Sequence, residues 1–191
     1  MITAKQLSDA CGCSMAVAER WLQWINETLD AFQINTPARQ AAFLPQLAHE
    51  SGRLHYTTEI WGPTPAQGGY EGRADLGNTQ PGDGYKFRGH GLIQTTGRAN
   101  HARVRDGLRA MGYDCYDFEE DPAALAIPRW AALSAGLFWS DHNLNALADA
   151  GEMIKIGRAI NRGNPESSRP ANGETERLAL WSDAKDTFGV A

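Results

Sequence analysis

Two acidic side chains, Glu50 and Glu59, are spaced and surrounded in ways that suit acid–base chemistry. Phe43, Leu47 and Glu50 follow one another at i, i+4 and i+7, so on a helix the carboxyl group projects from the same face as two core residues, and Leu54 extends that stripe. Apolar surroundings penalise the charged form of a carboxyl group, which is the property a general acid needs near neutral pH. Spacing alone also allows a helix-end glutamate that reaches solvent beside Ser51 and Gly52. Glu59 lies nine residues later in Tyr56-Thr57-Thr58-Glu59-Ile60-Trp61, whose β-branched and aromatic content predicts an extended strand. On such a strand Thr57, Glu59 and Trp61 share one face. A carboxylate among hydroxyls ionises more readily than one among aliphatics, so the pair has the unequal environments that divide an acid from a base. Trp61 offers a ring for stacking on a sugar, the alternative being a place in the core.

Other chemistries fit less well. His49-Glu50 lacks the second histidine of a His-Glu-x-x-His zinc motif, and His55, His90, His101 and His142 show no ligand spacing. Gly89-His90-Gly91-Leu92-Ile93-Gln94 has glutamine where a dinucleotide loop needs its third glycine, and there is no Gly-x-Ser-x-Gly elbow. Neither a metal nor an organic cofactor is expected.

The elements that must position these groups read as helices around one irregular stretch. Trp21, Leu22, Ile25, Leu29 and Phe32 recur at helical spacing and predict an amphipathic helix over 15–32. Thr36-Pro37 starts a second helix, which Pro45 is expected to kink or interrupt. Between Gly62 and Gly91 the texture changes, with nine of the 20 glycines and three prolines in this stretch. It reads as loop with short strands, ordered by Tyr70, Tyr85 and Phe87, and a long stretch of this kind in a compact domain usually lines a functional site. Asp121-Pro122 opens a short helix that stops near Pro128. Further helices are predicted over 130–139, 151–160 and 174–188. No linker divides the 191 residues, so we expect a single domain, with a helical segment over 1–35 and the Gly-rich insertion over 62–91.

Composition narrows the class. A hydrophobic fraction of 42% with six tryptophans supports a packed core, and 21% charged residues are too few for a disordered chain. No apolar stretch reaches membrane-spanning length, and the first residues lack the apolar core of a secretion signal, so neither membrane insertion nor signal-peptide export is expected. Three cysteines make neither a disulfide framework nor a four-cysteine zinc site, and synthesis in a reducing cytoplasm fits. The net charge of −5 argues against a nucleic-acid partner. Six basic residues from Lys86 to Arg109, against the single acid Asp106, leave two readings open: a patch that meets an anionic polymer, or a solvated helix face.

Gln46-Leu47-Ala48-His49-Glu50-Ser51-Gly52, then Glu59, then Phe87-Arg88-Gly89-His90-Gly91-Leu92-Ile93-Gln94-Thr95-Thr96-Gly97-Arg98-Ala99-Asn100, resemble glycoside hydrolase family 19, most closely its bacteriophage endolysins rather than its plant chitinases. Ala159-Ile160-Asn161-Arg162-Gly163-Asn164 and Glu176-Arg177 look like the family's C-terminal motifs, so the resemblance runs from about Phe43 to Leu180.

The resemblance implies a mainly α, lysozyme-like fold of two lobes about a cleft that the Gly-rich segment lines. It implies an inverting glycosidase in which Glu50 is the general acid, Glu59 the base that activates water, and Thr96 the hydroxyl that helps hold that water. Gln94, Asn100, His101, Asn161 and Arg177 would line sugar subsites or support the carboxylates, with Trp61 and Tyr85 as stacking rings. Inversion requires carboxyl groups roughly 6.5 to 9.5 Å apart so that a water fits between them. The chain departs from the family pattern at His90 where arginine is usual, His101 where tyrosine is common, Thr95 where leucine is usual, and Arg162 within the Asn-Gly motif. The expected activity is that of a lysozyme acting on peptidoglycan glycan strands, as a monomer made in the host bacterial cytoplasm and reaching the wall once a separate protein breaches the membrane. A chitinase is the alternative within the class, and a wall-binding module without turnover the alternative outside it.

Overall fold

The computed structural model describes residues 1–191. It is mostly helical, as expected: α1 (Ala4–Cys11), α2 (Met15–Ala31), α3 (Pro37–Glu50), α4 (Pro65–Gly68), α5 (Asp83–Lys86), α6 (Arg98–Ala110), α7 (Pro128–Asp141), α8 (Leu144–Asp149), α9 (Met153–Arg162) and α10 (Glu174–Phe188), with 3₁₀ turns at Ala74–Leu76 and Pro122–Ala126. No helix is long and apolar enough to cross a membrane. The chain forms two compact units, Met1–His55 with Phe138–Ala191, and Tyr56–Leu137.

In the first unit, local sequence sets the helix ends. Thr3 caps α1 through a reciprocal box with Gln6, Ser14 caps α2, and Thr36 caps α3 with Pro37 in its first turn. α3 is the centre of this unit. It packs against α1, α8 and α10, and every residue from Gln40 to Ala48 is buried. Pro45 lies inside α3 and does not end it. A proline removes one helical N–H and crowds the preceding turn, and here the helix continues through it among buried neighbours. Phe43 meets Trp139 edge-on with ring centroids 5.1 Å apart, and removing a fully buried side chain such as Leu47 from water contributes about 1.5–3 kcal/mol.

The second unit is built largely from polar staples. The strand expected over Tyr56–Trp61 does not form; the only pairings are isolated bridges, Thr58 with His90 and His90 with Thr95. The Gly-rich segment contains α4, α5 and a 3₁₀ turn rather than strands. Few of its side chains are apolar, so polar groups hold it. Glu71 accepts from the Gly82 and Gly84 amides at 2.7 and 2.8 Å. Buried Asn78 donates to Tyr70 O and accepts from Arg98 N, both at 2.9 Å. The apolar core is Phe87, Leu92, Val104, Leu108, Phe118 and Leu125, with Trp130 ringed edge-on by Tyr113, Tyr116 and Phe118.

Two of the basic residues of the stretch 86–109, Arg98 and Arg105, are paired with carboxylates of the second unit. Arg98 grips buried Asp83 with contacts of 2.6 and 3.1 Å, holding that carboxyl below its usual range. Arg105 reaches Asp106, Asp117 and Glu119 at 2.7, 2.9 and 2.7 Å. Lys86 donates to Glu119 O at 3.0 Å.

Candidate active site residues

Glu50 and Glu59 belong to different units, and each site is built from its own neighbours. Glu50 is the last residue of α3, on the stripe that buries Phe43 and Leu47. It does not meet aliphatic side chains alone: its Oε1 accepts from the Arg177 guanidinium, which is 2% exposed. Arg177 donates in addition to Gln46 Oε1 and, at 3.0 Å, to Asn172 O. One fork thus ties α3 to the start of α10. Leu54 is buried but lies beyond the helix end, at φ +66°, so it continues the apolar stripe by a turn and not by helical periodicity. Beside this fork, His49 Nδ1 meets Glu176 Oε2 at 2.8 Å. Adjacent residues of α3 therefore bind adjacent residues of α10. Gly173, the N-cap of α10, permits this closeness: a Cβ there would lie 2.0 Å from His49 Cε1. Asn161 accepts from Asn172 N at 2.9 Å, which ties α9 to the loop before α10 and gives this side chain a structural partner.

Glu59 is held by three donors. Its Oε1 accepts from Gln67 Nε2 at 3.0 Å and from the Tyr70 hydroxyl at 3.4 Å, and its Oε2 accepts from Gly89 N at 2.9 Å. Its own amide donates to Gly89 O at 2.8 Å. Burial first, then the Glu59 charge and the bond to it, raise the Tyr70 phenol above its ordinary value and keep it a donor. Gln67 is the N3 residue of the capping box that starts α4, and it additionally donates to Ile60 O. The Thr-x-x-Gln spacing at 64–67 is a readable helix-start signal. That Gln67 turns its amide on Glu59 is a tertiary fact, and none of Gln67, Tyr70 and Gly89 was read from the sequence as a partner of Glu59.

Thr96 and Gln94 stand on the hairpin that begins at Gly89. Thr96 Oγ1 donates to Gln94 O at 2.9 Å, leaving its lone pairs as acceptors, and Gln94 Nε2 donates to Gly91 O at 2.8 Å. Trp61 packs edge-on to Tyr85 with centroids 5.3 Å apart, and Tyr85, 54% exposed, carries the Arg88 guanidinium 4.2 Å from its ring centre. Asn100 is exposed and donates to Thr96 O at 2.7 Å. His101, expected to line a sugar subsite, is instead fully buried, with one ring nitrogen on Gly97 O at 2.9 Å and the other on His90 at 3.1 Å. Histidine is shorter than the tyrosine common there, and its two ring nitrogens find partners inside the unit.

No protein-family model matches the chain. A Haemophilus influenzae protein described as a glycosyl hydrolase family 19 domain-containing protein is 30% identical over 170 residues, an alignment spanning 75% of this chain and 76% of that one. Chitinase C from Streptomyces griseus superposes on the whole chain and on 77% of its own length with a TM-score of 0.73 at 19% identity. A bacterial family 19 chitinase superposes on the whole chain and on 96% of its own length at 0.68, again at 19% identity. Helical architecture and the identity to a family 19 relative over most of both sequences agree, and the chain belongs to glycosyl hydrolase family 19.

Proposed function

We propose that this glycosidase hydrolyses the β-1,4 bond between amino sugars in the glycan strand of peptidoglycan, with inversion at the anomeric carbon. The observation that carries the reading is the Glu59 carboxylate, held by three neutral donors with one Oε2 position left open for a water. A carboxylate has about four acceptor positions. Glu59 fills two on Oε1 and one on Oε2, so the remaining Oε2 lone pair takes a proton from the attacking water. Thr96 Oγ1, its own hydrogen spent on Gln94 O, accepts the water's second hydrogen and turns the water's lone pair towards the sugar. Glu50 protonates the leaving oxygen. With Oε1 accepting from Arg177, the proton it delivers rides on Oε2. Trp61 and Tyr85 supply rings for the apolar faces of the sugars, and Gln94, Asn100 and Asn161 supply polar contacts. No step calls for a metal or an organic cofactor. On this reading the enzyme is a monomer whose partner is the glycan strand, made in the host bacterial cytoplasm and acting on the wall once another protein has opened the membrane.

Digestion of purified peptidoglycan, with reducing ends followed by mass spectrometry and anomers resolved by NMR, tests the bond, the activity and the stereochemistry together. The expected first product is the α anomer. A β product would contradict inversion, and anhydro-sugar ends would make the protein a lytic transglycosylase. A second reading, a chitinase, is favoured by the likeness over the full chain to two proteins described as chitinases. Hydrolysis of soluble chitin oligomers without release from cell walls would establish it.

A further inference from the structure

Beneath the hairpin that holds Glu59, two buried imidazoles form a chain with only one consistent set of protons. Gly97 O can only accept, so His101 Nδ1, 2.9 Å away, carries the hydrogen. In a neutral ring His101 Nε2 is then an acceptor, so His90 Nδ1, at 3.1 Å, is the donor to it. His90 Nε2 is left with a bare lone pair, buried and without any partner. Burial first, then the neighbouring His101 and Arg88, depress the His90 pKa from 6.5 to about 3. Burial depresses His101 to about 4. The groups around the pair are the Phe87 ring, edge-on to His101 at 5.3 Å, the preceding cation Arg88, and backbone; no carboxylate bonds to either ring.

This chain closes a loop. His90 N and O pair with Thr95 O and N at 3.0 and 2.8 Å, and Gly97, two residues on, returns through His101 to His90. The residues on either side of His90 are the ones that grip the Glu59 segment: Gly89 bonds Glu59 through both its N and O, and Gly91 N donates to Thr57 O at 2.8 Å. His90 and His101 are moreover two of the positions at which the sequence departs from the pattern it resembles, arginine and tyrosine being usual there, and the two exchanged residues touch each other.

The geometry assigns His90 and His101 to a joint positioning role: a neutral imidazole pair that fixes the register of hairpin 89–97 and, through Gly89, the orientation of the Glu59 carboxylate. It rests on the reading of Glu59 as the base. Neither ring is a catalytic residue. Protonation of either would set two N–H groups against each other or leave a buried charge, so the device works only in its neutral form.

The test uses the full chain with H101F, which keeps a ring but removes both bonds, and with H101Q, a neutral amide that offers a donor for Gly97 O and an acceptor for His90 Nδ1. Amide exchange at Gly89 and Gly91 is expected to quicken about tenfold in H101F, the scale of one net hydrogen bond, and kcat to fall by a similar factor while KM stays nearly constant. H101Q is expected to recover kcat. NMR of the native imidazole nitrogens is expected to show both hydrogens on Nδ1, with neither ring titrating near pH 6.5. Unchanged Gly89 exchange and kcat in H101F, loss of kcat that only tracks lost thermal stability and is not recovered in H101Q, or native rings that titrate normally would each overturn the proposal. Full turnover by E59Q would instead sink the reading of Glu59, whereas Gly89 exchange in H101F would still report whether the pair sets the hairpin.

Discussion

Glu59 and Gly89 exchange two hydrogen bonds, the Glu59 amide donating to Gly89 O at 2.8 Å and the Gly89 amide donating to Glu59 Oε2 at 2.9 Å. The carboxylate is thus aimed by the backbone of a residue thirty positions away, which no side-chain exchange at position 89 removes directly. Crowding would. A Cβ on Gly89 would lie 2.7 Å from Gln94 Oε1 and 3.1 Å from Gln94 Cβ. G89A is therefore expected to push Gln94 aside, disturb the carbonyl to which Thr96 donates, and lower kcat about tenfold, corresponding to roughly 1.4 kcal/mol of transition-state stabilisation. Steady-state kinetics beside a thermal melt check it: an intact melt with native kcat would show that the hairpin absorbs the methyl group.

Gln67 and Tyr70 both donate to Glu59 Oε1, but they are not equal. Gln67 is buried and makes further bonds to Ile60 O, Gly62 N and Thr64 N, whereas Tyr70 makes one bond at 3.4 Å. Q67A is expected to cost about 1–3 kcal/mol of stability together with activity. Y70F is expected to leave the fold intact and lower kcat by no more than a few-fold. Denaturant midpoints and initial rates measured on both variants would reveal a reversed order.

Arg177 and Glu50 form a pair closed off from water on the guanidinium side. R177A leaves Gln46 Oε1 and Glu50 Oε1 without their donor, so it is expected to destabilise the first unit by about 1–3 kcal/mol. R177K keeps the charge but loses the fork that reaches Gln46 as well, and should recover only part of that. The decisive comparison is a double-mutant cycle with E50Q. The two changes together should cost clearly less than their sum, and strict additivity would mean that the contact contributes nothing.

Gly173 is held at φ +66° with His49 occupying the place of its missing side chain. G173A would have to adopt a left-handed conformation costing about 1–2 kcal/mol and displace an imidazole bonded to Glu176. We expect a loss of about 2 kcal/mol or more in denaturant unfolding. H49A in the same chain should relieve the steric part and leave the conformational part.

The buried imidazole pair gives folding stability a definite pH dependence. Unfolded histidine binds a proton near pH 6.5, whereas in the fold His101 does so only at about 4 and His90 at about 3. Between those values the unfolded chain holds more protons, so the contribution is whole above pH 6.5 and is lost as pH falls towards 4 and then 3. For His101 the full loss is on the order of 3 kcal/mol. Melting temperatures of the native chain and of H101F, compared from pH 7 to 4, should converge as the pH drops. Curves that stay parallel would show that the folded pair titrates like free histidine.

The helices were legible in the sequence because each is written locally. Thr36-Pro37 starts α3, the apolar spacing of α2 is unbroken, and the helix expected over 174–188 is the one that forms. Outside the Gly-rich segment, three helices escaped this reading. α1 and α8 are eight and six residues long, too short for a clear period, and α6 hides a stripe of only His101, Val104 and Leu108 among its arginines. Glu50 and Glu59 were marked by residue type and spacing, and motif resemblance added Thr96 and Arg177. What surrounds them was decided by tertiary structure. The strand expected around Glu59 gave way to single bridges because Gly89 and His90 pair with it at isolated points only. The greasy setting expected for Glu50 gained a guanidinium from the far end of the chain. Periodicity reports which face of an element is buried, since burial repeats with the backbone. It carries no information about which polar group, more than a hundred residues on, will be brought against that face, because such a partner is chosen by how the helices pack.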